Sequence, residues 1–325
     1  MGIRVKALAT YVPDNIITNQ DFEKFLDTSD QWITERTGIK ERHIARLDQA
    51  ASDLGTEAAL RALDRAGLDP KELDLIITAT SSPDHIFPGT GCLIQANIGA
   101  VNAAPFDLQA GCPGFVFAMD VARAMLQAGP YKKAMIVGTE CLTKITDYQD
   151  RSTCVLFGDG AGAAILEDDP DHPGILSTYL GGDGRLGHLL ILPAGGSRLP
   201  CSHRVVEDRQ HFLKMEGQEV FRNAVRAMRD AALKTLERAG VQPGELDWLV
   251  PHQANTRIIE ATRTRLNLPP EKVYVNIDRF GNTSAASIPI ALDEMQQKGL
   301  LKENDLVLAV TFGAGFVWGG ALFRW

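Results

Sequence analysis

The chain has 325 residues, 45% hydrophobic and 23% charged, a balance that suits a globular protein whose core is large enough to stand without disulfides or metal staples. Its 33 Lys and Arg against 41 Asp and Glu leave a net charge of −8, which argues against nucleic acid as a partner, because such a binder needs a basic footprint. The opening MGIRVKALATYVPDN holds no apolar signal run, and no stretch nears the ~20 residues of a membrane span. The five cysteines (Cys92, Cys112, Cys141, Cys154, Cys201) are scattered without zinc spacing. The expectation is a reduced, cytoplasmic protein with no membrane insertion and no metal.

In chain order, hydrophobic patterning predicts strands near 3–11, 73–80, 104–108, 133–139 and 160–167, with helices near 51–66, 88–98 and 113–128. The stretch 169–214 is rich in Gly, Pro and His and has little periodicity, so it is expected to be an insert of strands and loops that shapes a pocket. Beyond it, helices near 215–239, 254–267 and 284–299 alternate with strands near 246–250, 272–276, 304–311 and 316–324.

The chain also contains its own copy. Residues 58–77 (AALRALDRAGLDPKELDLII) and 231–250 (AALKTLERAGVQPGELDWLV) agree at eleven of twenty positions, at an offset of 173. Each segment encodes an amphipathic helix, a Gly stop (Gly67, Gly240), a Pro turn (Pro70, Pro243) and an apolar strand. KKAMIVGTE at 132–140 pairs more weakly with 303–312, and FGDGAGAAIL at 157–166 with 312–322. The expected organisation is therefore an N-terminal half over 1–170, an insert over 171–214 and a C-terminal half over 215–325. Such halves are α/β units with helix-covered, mostly parallel sheets, packed about a pseudo-twofold axis with a ligand site in the crevice between them.

Three residues stand out chemically. Cys112 falls where an apolar strand ends at Gln109-Ala110-Gly111 and a helix begins near Pro113. At a helix N-terminus the macrodipole favours the thiolate, so Cys112 is the expected nucleophile. His252 follows the strand of the second repeat, at the end where open α/β folds bind ligands. Asn282 lies in GNTSAAS, a turn before a helix that also suits an N-cap, and the duplication makes it the counterpart of the Cys112 turn. Gly158–Gly162 resembles a dinucleotide loop but precedes a strand, so it is expected to be structural, whereas the Gly313-Ala314-Gly315 turn could present an amide to an oxyanion near Cys112.

The chain as a whole resembles the beta-ketoacyl-[acyl-carrier-protein] synthase III family of thiolase-like condensing enzymes. The resemblance rests on DTSDQWITERTGIKERHIA (27–45), FPGTGCLIQ (87–95), AGCPGF, LFGDGAGA (156–163), MEGQEVF (215–221), VPHQANTRII (250–259), GNTSAAS (281–287) and FGAGFVWG (312–319). It implies a thiolase-like fold of five layers and a decarboxylative Claisen condensation of an acyl-CoA with malonyl-acyl carrier protein. It also implies Cys112, His252 and Asn282 as catalytic residues, with the amides of Cys112 and Ala314 as oxyanion hole. CoA contacts would be Thr28, Trp32, Arg36, Arg151 and Asn255. Phe87 (from a partner subunit), Leu156, Phe157, Met215 and Phe221 would line the acyl pocket. Arg222, Gln253, Arg257 and Arg263 would meet the carrier protein. A homodimer and no metal or redox cofactor complete the implication.

Pro113 stands where the family more often has Ser or Ala, and Ala314 where it often has Gly; both substitutions keep the backbone donors. Segment 192–211 is less family-like, so primer size does not carry over. A starter-unit synthase of polyketide or secondary metabolism would use the same triad, a Cys-His-Asn hydrolase would need an open water path, and a non-catalytic acyl binder would not need Cys112.

Overall fold

A computed structural model describes residues 2–325. Its first half contains β1 (Ile3–Tyr11), α1 (Ala51–Ala66), β2 (Leu75–Ala79), α2 (Thr90–Ile98), β3 (Ala104–Leu108), α3 (Gly114–Ala128), β4 (Lys133–Glu140) and β5 (Gly160–Asp168). The second contains β6 (Ile175–Gly182), α4 (Gly217–Ala239), β7 (Trp248–Pro251), α5 (Thr256–Arg265), α6 (Ser287–Gln297), β8 (Leu306–Gly313) and β9 (Val317–Arg324).

The repeated segment folds the same way twice. Helices α1 and α4 both stop at a left-handed glycine, Gly67 at φ 60° and Gly240 at φ 69°, a conformation without a Cβ penalty. Matching 3-10 turns follow at Pro70–Glu72 and Pro243–Glu245, and β2 and β7 come next. The strand orders correspond too: β1-β5-β4-β2-β3 in one sheet and β6-β9-β8-β7 in the other. Both sheets are mixed. Strand β2 runs parallel to β3 and β4, and β7 parallel to β8, while β4–β5, β5–β1, β8–β9 and β9–β6 are antiparallel.

Helices α3 and α6 lie between the two sheets. One core cluster joins their apolar faces (Phe115, Met119, Ile288, Leu292) to Leu75 and Ile136 on one side and Val307 and Ala309 on the other. A second cluster packs α1 and α2 on the outside of the first sheet, and a third packs α4 and α5 on the outside of the second. The result is the five-layer thiolase-like order. Gly162 of β5 permits the close approach of the middle layer, because a Cβ there would collide with the Pro289 ring of α6, 2.7 Å from its Cγ.

Three features differ from expectation. The sheets are not mostly parallel, since antiparallel pairs make up half of the first and most of the second. The stretch 171–214 is not wholly an insert, since Ile175–Gly182 is β6, the edge strand of the second sheet. The strand expected over 272–276 shrinks to a single parallel bridge between Leu249 and Val273. Pro269 and Pro270 open a 3-10 turn there, and the side chain of Gln253 then takes the backbone groups a strand would offer. Its Nε2 donates to the carbonyls of Pro251 (2.8 Å) and Tyr274 (3.2 Å), and its Oε1 accepts from the Asn276 amide at 3.0 Å.

Candidate active site

Cys112 sits between β3 and α3. Gly111 holds φ 56°, and a Cβ on it would lie 3.0 Å from the nitrogen and oxygen of Ala314, so glycine lets the nucleophile turn nest against the turn after β8. Pro113 follows at φ −65° as the cap of α3, where its missing N–H has no intrahelical partner to lose. Ser284 and the amides of Ala314 and of Cys112 itself act to lower the pKa of the thiol. Burial nevertheless dominates and pushes the Cys112 thiol up to about 11. That corrects the expectation from the helix N-terminus: in the free protein the sulfur is a thiol, and charge on it has to be stabilised locally.

His252 follows β7 and lines the same cavity, its amide bonded to the Val310 carbonyl at 2.8 Å. It is buried, which drops its pKa to about 3 and keeps the imidazole neutral. Ser287, the first residue of α6, lies 2.6 Å from Nδ1 and accepts from the Gln253 amide at 3.4 Å. With its oxygen accepting, its O–H is available to donate to Nδ1, which leaves Nε2 carrying the proton toward the cavity.

Asn282 is placed by backbone bonds on both sides: its amide donates to the Leu156 carbonyl (2.9 Å) and its carbonyl accepts from the Gly158 amide (3.0 Å). Its Oδ1 accepts from the Ser284 amide at 2.9 Å, so the NH2 end is the part free to donate into the cavity it lines. No hydroxyl of the GNTSAAS run caps α6. Ser284–Ala286 form a 3-10 turn instead, and Ala286 occupies the cap position.

The cavity that Cys112, His252 and Asn282 share measures about 110 Å³. Leu156, Phe157, Met215 and Phe221 also line it, as does Asn255. Phe87 does not: its side chain is 84% exposed, away from the cavity. Gly158–Gly162 is structural as expected from its position, with Asp159 buried and accepting from the amides of Ala45 (2.8 Å) and Thr143 (3.0 Å).

The other sequence candidates divide clearly. Ser29 caps the helix Asp30–Thr37, which carries Trp32 and Arg36, by accepting from the Trp32 amide at 3.1 Å. Arg151 stacks on the Trp32 ring with its guanidinium carbon 4.9 Å from the centroid, and donates to the Asp27 carbonyl at 2.6 Å. The Thr28 hydroxyl is buried there without a hydrogen-bond partner. Asn255 caps α5, accepting from the Arg257 amide (2.9 Å), and donates to the Arg36 carbonyl (2.9 Å), which ties the two motifs together. Arg257 stacks over Phe221 at 5.0 Å, and Arg222 is exposed beside Glu219 at 2.7 Å.

Of the carrier-protein candidates, Gln253 lies off the surface, whereas Arg263 stays partly exposed but tied down. Gln253 is buried and fully engaged by the bonds described above. Arg263 is held by Glu260 and by the Leu268 carbonyl, and so fastens the end of α5. Sequence reasoning also passed over Ser284, Ser287 and Glu140. The two serines lie inside the GNTSAAS run, and Glu140 is a lone acid at the end of an apolar strand, a residue type rarely buried without cause. Among the described residues no cluster of three or more His, Cys, Asp or Glu is placed to hold a metal ion, and no helix is long and apolar enough to cross a membrane.

Comparison with known proteins gives a consistent answer. Models for 3-oxoacyl-[acyl-carrier-protein] synthase III match residues 106–184, and models for its C-terminal part match 236–325. A beta-ketoacyl-[acyl-carrier-protein] synthase III from Caldanaerobacter subterraneus subsp. tengcongensis is 54% identical over 316 residues, covering 97% of this chain and 96% of that one. The crystal structure of 3-oxoacyl-[acyl-carrier-protein] synthase III from Aquifex aeolicus VF5 superposes with a TM-score of 0.92 at 44% identity, covering 100% of both chains. The priming beta-ketosynthase from the R1128 polyketide biosynthetic pathway superposes with a TM-score of 0.91 at 37% identity, covering 99% of this chain and 96% of that one.

Proposed function

The chain belongs to the 3-oxoacyl-[acyl-carrier-protein] synthase III family, and from that premise we propose how its own residues carry the reaction. It is an acyltransferase that condenses a short acyl-CoA primer with malonyl-acyl carrier protein, releasing CO2 and CoA and initiating type II fatty acid synthesis. The observation that carries the division of roles is one cavity lined by Cys112 from the first half and by His252 and Asn282 from the second.

The sulfur of Cys112 attacks the primer thioester, the amides of Cys112 and Ala314 receive the developing oxyanion, and CoA departs with the thiol proton. Malonyl-acyl carrier protein then places its thioester oxygen against His252 Nε2–H and the Asn282 NH2. Loss of CO2 leaves enolate charge on that oxygen, where two neutral donors stabilise it. Neutrality matters, because an imidazolium would also bind the malonyl carboxylate and so favour the ground state. The carbanion attacks the acyl-Cys112 carbonyl, the electron pair returns to sulfur, and one proton taken up from solvent restores the thiol. Atoms and charges balance without a metal or redox cofactor.

Leu156, Phe157, Met215 and Phe221 give the primer an apolar enclosure whose small volume suits a short chain. Thr28, Trp32, Arg36, Arg151 and Asn255 are assigned to CoA, with Arg151 moving off the indole to admit the adenine. Arg222 and Arg257, exposed near the cavity wall at Phe221, are assigned to the acidic carrier protein. Edge strand β3, together with Ile86 at 79% and Phe87 at 84% exposure, offers a face for a second copy of the chain. Five unpaired thiols fit the cytoplasm.

The test is incubation with acetyl-CoA or a branched acyl-CoA plus malonyl-acyl carrier protein, with product identification by mass. A 3-oxoacyl product is expected; free acid alone would instead mark a hydrolase. Cys112→Ala should abolish the acyl-enzyme, and Asn282→Ala should keep acylation while impairing decarboxylation. Equal loss of both steps in Asn282→Ala would refute its role.

A further inference from the structure

A buried cation stands behind Asn282. Arg42 belongs to the short strand Glu41–His43, which pairs with Ile16–Thr18, and its side chain is fully buried. Arginine stays charged in such a place and is almost never fully buried without a partner of opposite charge. The groups that meet this one are neutral. Nη1 donates to Asn19 Oδ1 at 2.7 Å, with the Lys40 carbonyl at 3.5 Å, and Nη2 donates to the Val155 carbonyl. Cζ lies 4.6 Å from the centre of the Phe22 ring.

Stem and fork together touch both segments that hold Asn282. That residue is seated by a single parallel bridge to Phe157, made through the Leu156 carbonyl and the Gly158 amide. Val155, whose carbonyl Arg42 holds, comes immediately before this segment. A Cβ on Gly158 would lie 3.1 Å from Arg42 Cβ, and one on Gly281 would lie 3.2 Å from Arg42 Cγ. The aliphatic stem therefore runs against the residue after Phe157 and the residue before Asn282. His43 continues the pattern: its ring stacks on Phe280 at 5.4 Å, and its carbonyl accepts from the Asp159 amide at 2.9 Å. No hydrogen bond of Arg42 reaches the turns at Cys112 and Ala314.

The far end of the fork is equally fixed. Asn19 Nδ2 donates to Asp30 Oδ1 (2.7 Å), Thr34 Oγ1 (3.2 Å) and the Ile39 carbonyl (2.8 Å), which holds its Oδ1 toward Arg42. Asp30 and Thr34 lie on the helix that carries Trp32 and Arg36.

We infer that Arg42 is a positioning residue for Asn282: its guanidinium spans Asn19 Oδ1 and the Val155 carbonyl, and so fixes the Phe157–Asn282 bridge where the Asn282 NH2 meets the malonyl thioester oxygen. A planar fork suits the task because it reaches two acceptors on separate segments at a set spacing, which the single ammonium of lysine does not. The inference rests on Asn282 being a donor in decarboxylation. Misplacing such a group by about 1 Å costs about hundredfold in rate. Acylation depends on Cys112 and the two oxyanion amides, so it is left alone.

The experiment compares wild type, Arg42→Lys, Arg42→Met, Asn282→Ala and a double variant carrying Arg42→Lys and Asn282→Ala. It reads acyl-enzyme formation from saturating acetyl-CoA and CO2 release from malonyl-acyl carrier protein, both normalised to the folded fraction from circular dichroism. Arg42→Lys should slow CO2 release about tenfold and Arg42→Met about hundredfold, with acylation within about twofold of wild type. In the double variant, Arg42→Lys should cost CO2 release nothing beyond Asn282→Ala, because residues that act through one group do not add.

Wild-type CO2 release in Arg42→Lys would overturn the need for the fork. Equal slowing of both steps, a further tenfold loss in the double variant, or failure of both Arg42 variants to fold would make Arg42 a structural residue and overturn the inference. Should only Arg42→Met fail to fold, Arg42→Lys and the double variant decide on the same terms. An Asn282→Ala variant that slows acylation as much as CO2 release would refute the role of Asn282 instead, which keeps the two failures distinct.

Discussion

Replacing Gly313 with alanine asks whether the nucleophile turn and the turn after β8 have to touch. Gly313 is extended at φ −171°, so alanine meets no conformational penalty and the whole effect is contact. An added Cβ would lie 2.7 Å from both the nitrogen and the Cβ of Cys112, and 2.6 Å from Cδ of Pro113. None of these is the free end of a flexible side chain. Carbon atoms settle at about 3.5–4.0 Å, so the two turns must separate by about 1 Å. Overpacking of this kind costs about 1–3 kcal/mol of stability. The larger effect falls on chemistry, because the Cys112 and Ala314 amides that flank the contact would no longer converge. Loss of one oxyanion donor slows acyl transfer by about 10²–10³. The assay is single-turnover acyl-enzyme formation followed by intact mass, with thermal unfolding in parallel. Gly196→Ala serves as control, since nothing lies within 4 Å of its Cβ position. Wild-type acylation by Gly313→Ala would show that the turns need not touch and would remove the geometric basis for the oxyanion hole.

Two further outcomes follow from buried groups. His252 titrates near 6.5 when unfolded but only at about 3 when folded. The unfolded chain therefore binds the extra proton between those values, and stability falls as pH drops through that window, by about 1.4 kcal/mol per unit from this group. Denaturant midpoints of His252→Asn measured from pH 7 to 4 should give a shallower acid limb; a limb parallel to wild type would contradict neutral burial. Gln253→Ala should lower the unfolding free energy by about 2–3 kcal/mol by orphaning the Pro251 and Tyr274 carbonyls and the Asn276 amide, and should leave the KM for carrier protein unchanged. A raised KM without lost stability would return Gln253 to the docking surface.

The duplication was legible because its punctuation is local. Gly67 and Gly240 stop helices by their own backbone freedom, and the apolar runs of β2 and β7 follow after matching Pro turns. The Cys112 turn was legible for the same reason, as a strand end, two glycines and a proline within six residues. What escaped depended on distant partners. The strand expected at 272–276 is lost to a side chain about twenty residues earlier, and β6 looked like insert because its partner β9 lies at the far end of the chain. The thiol of Cys112 runs opposite to the helix-terminus argument because desolvation is set by everything packed around it. Gln253 looks like a surface polar residue until the carbonyls it binds are known.

The middle layer has a consequence for how this enzyme fails. Cys112 and Asn282 sit beside the starts of α3 and α6, the two helices covered by a sheet on each side. Segments so enclosed exchange their amide hydrogens only when the whole structure opens, whereas the outer helices and loops open locally at lower free energy. The reacting groups thus belong to the last part of the molecule to come undone. Heat inactivation should coincide with global unfolding, rather than precede it through fraying at the edges.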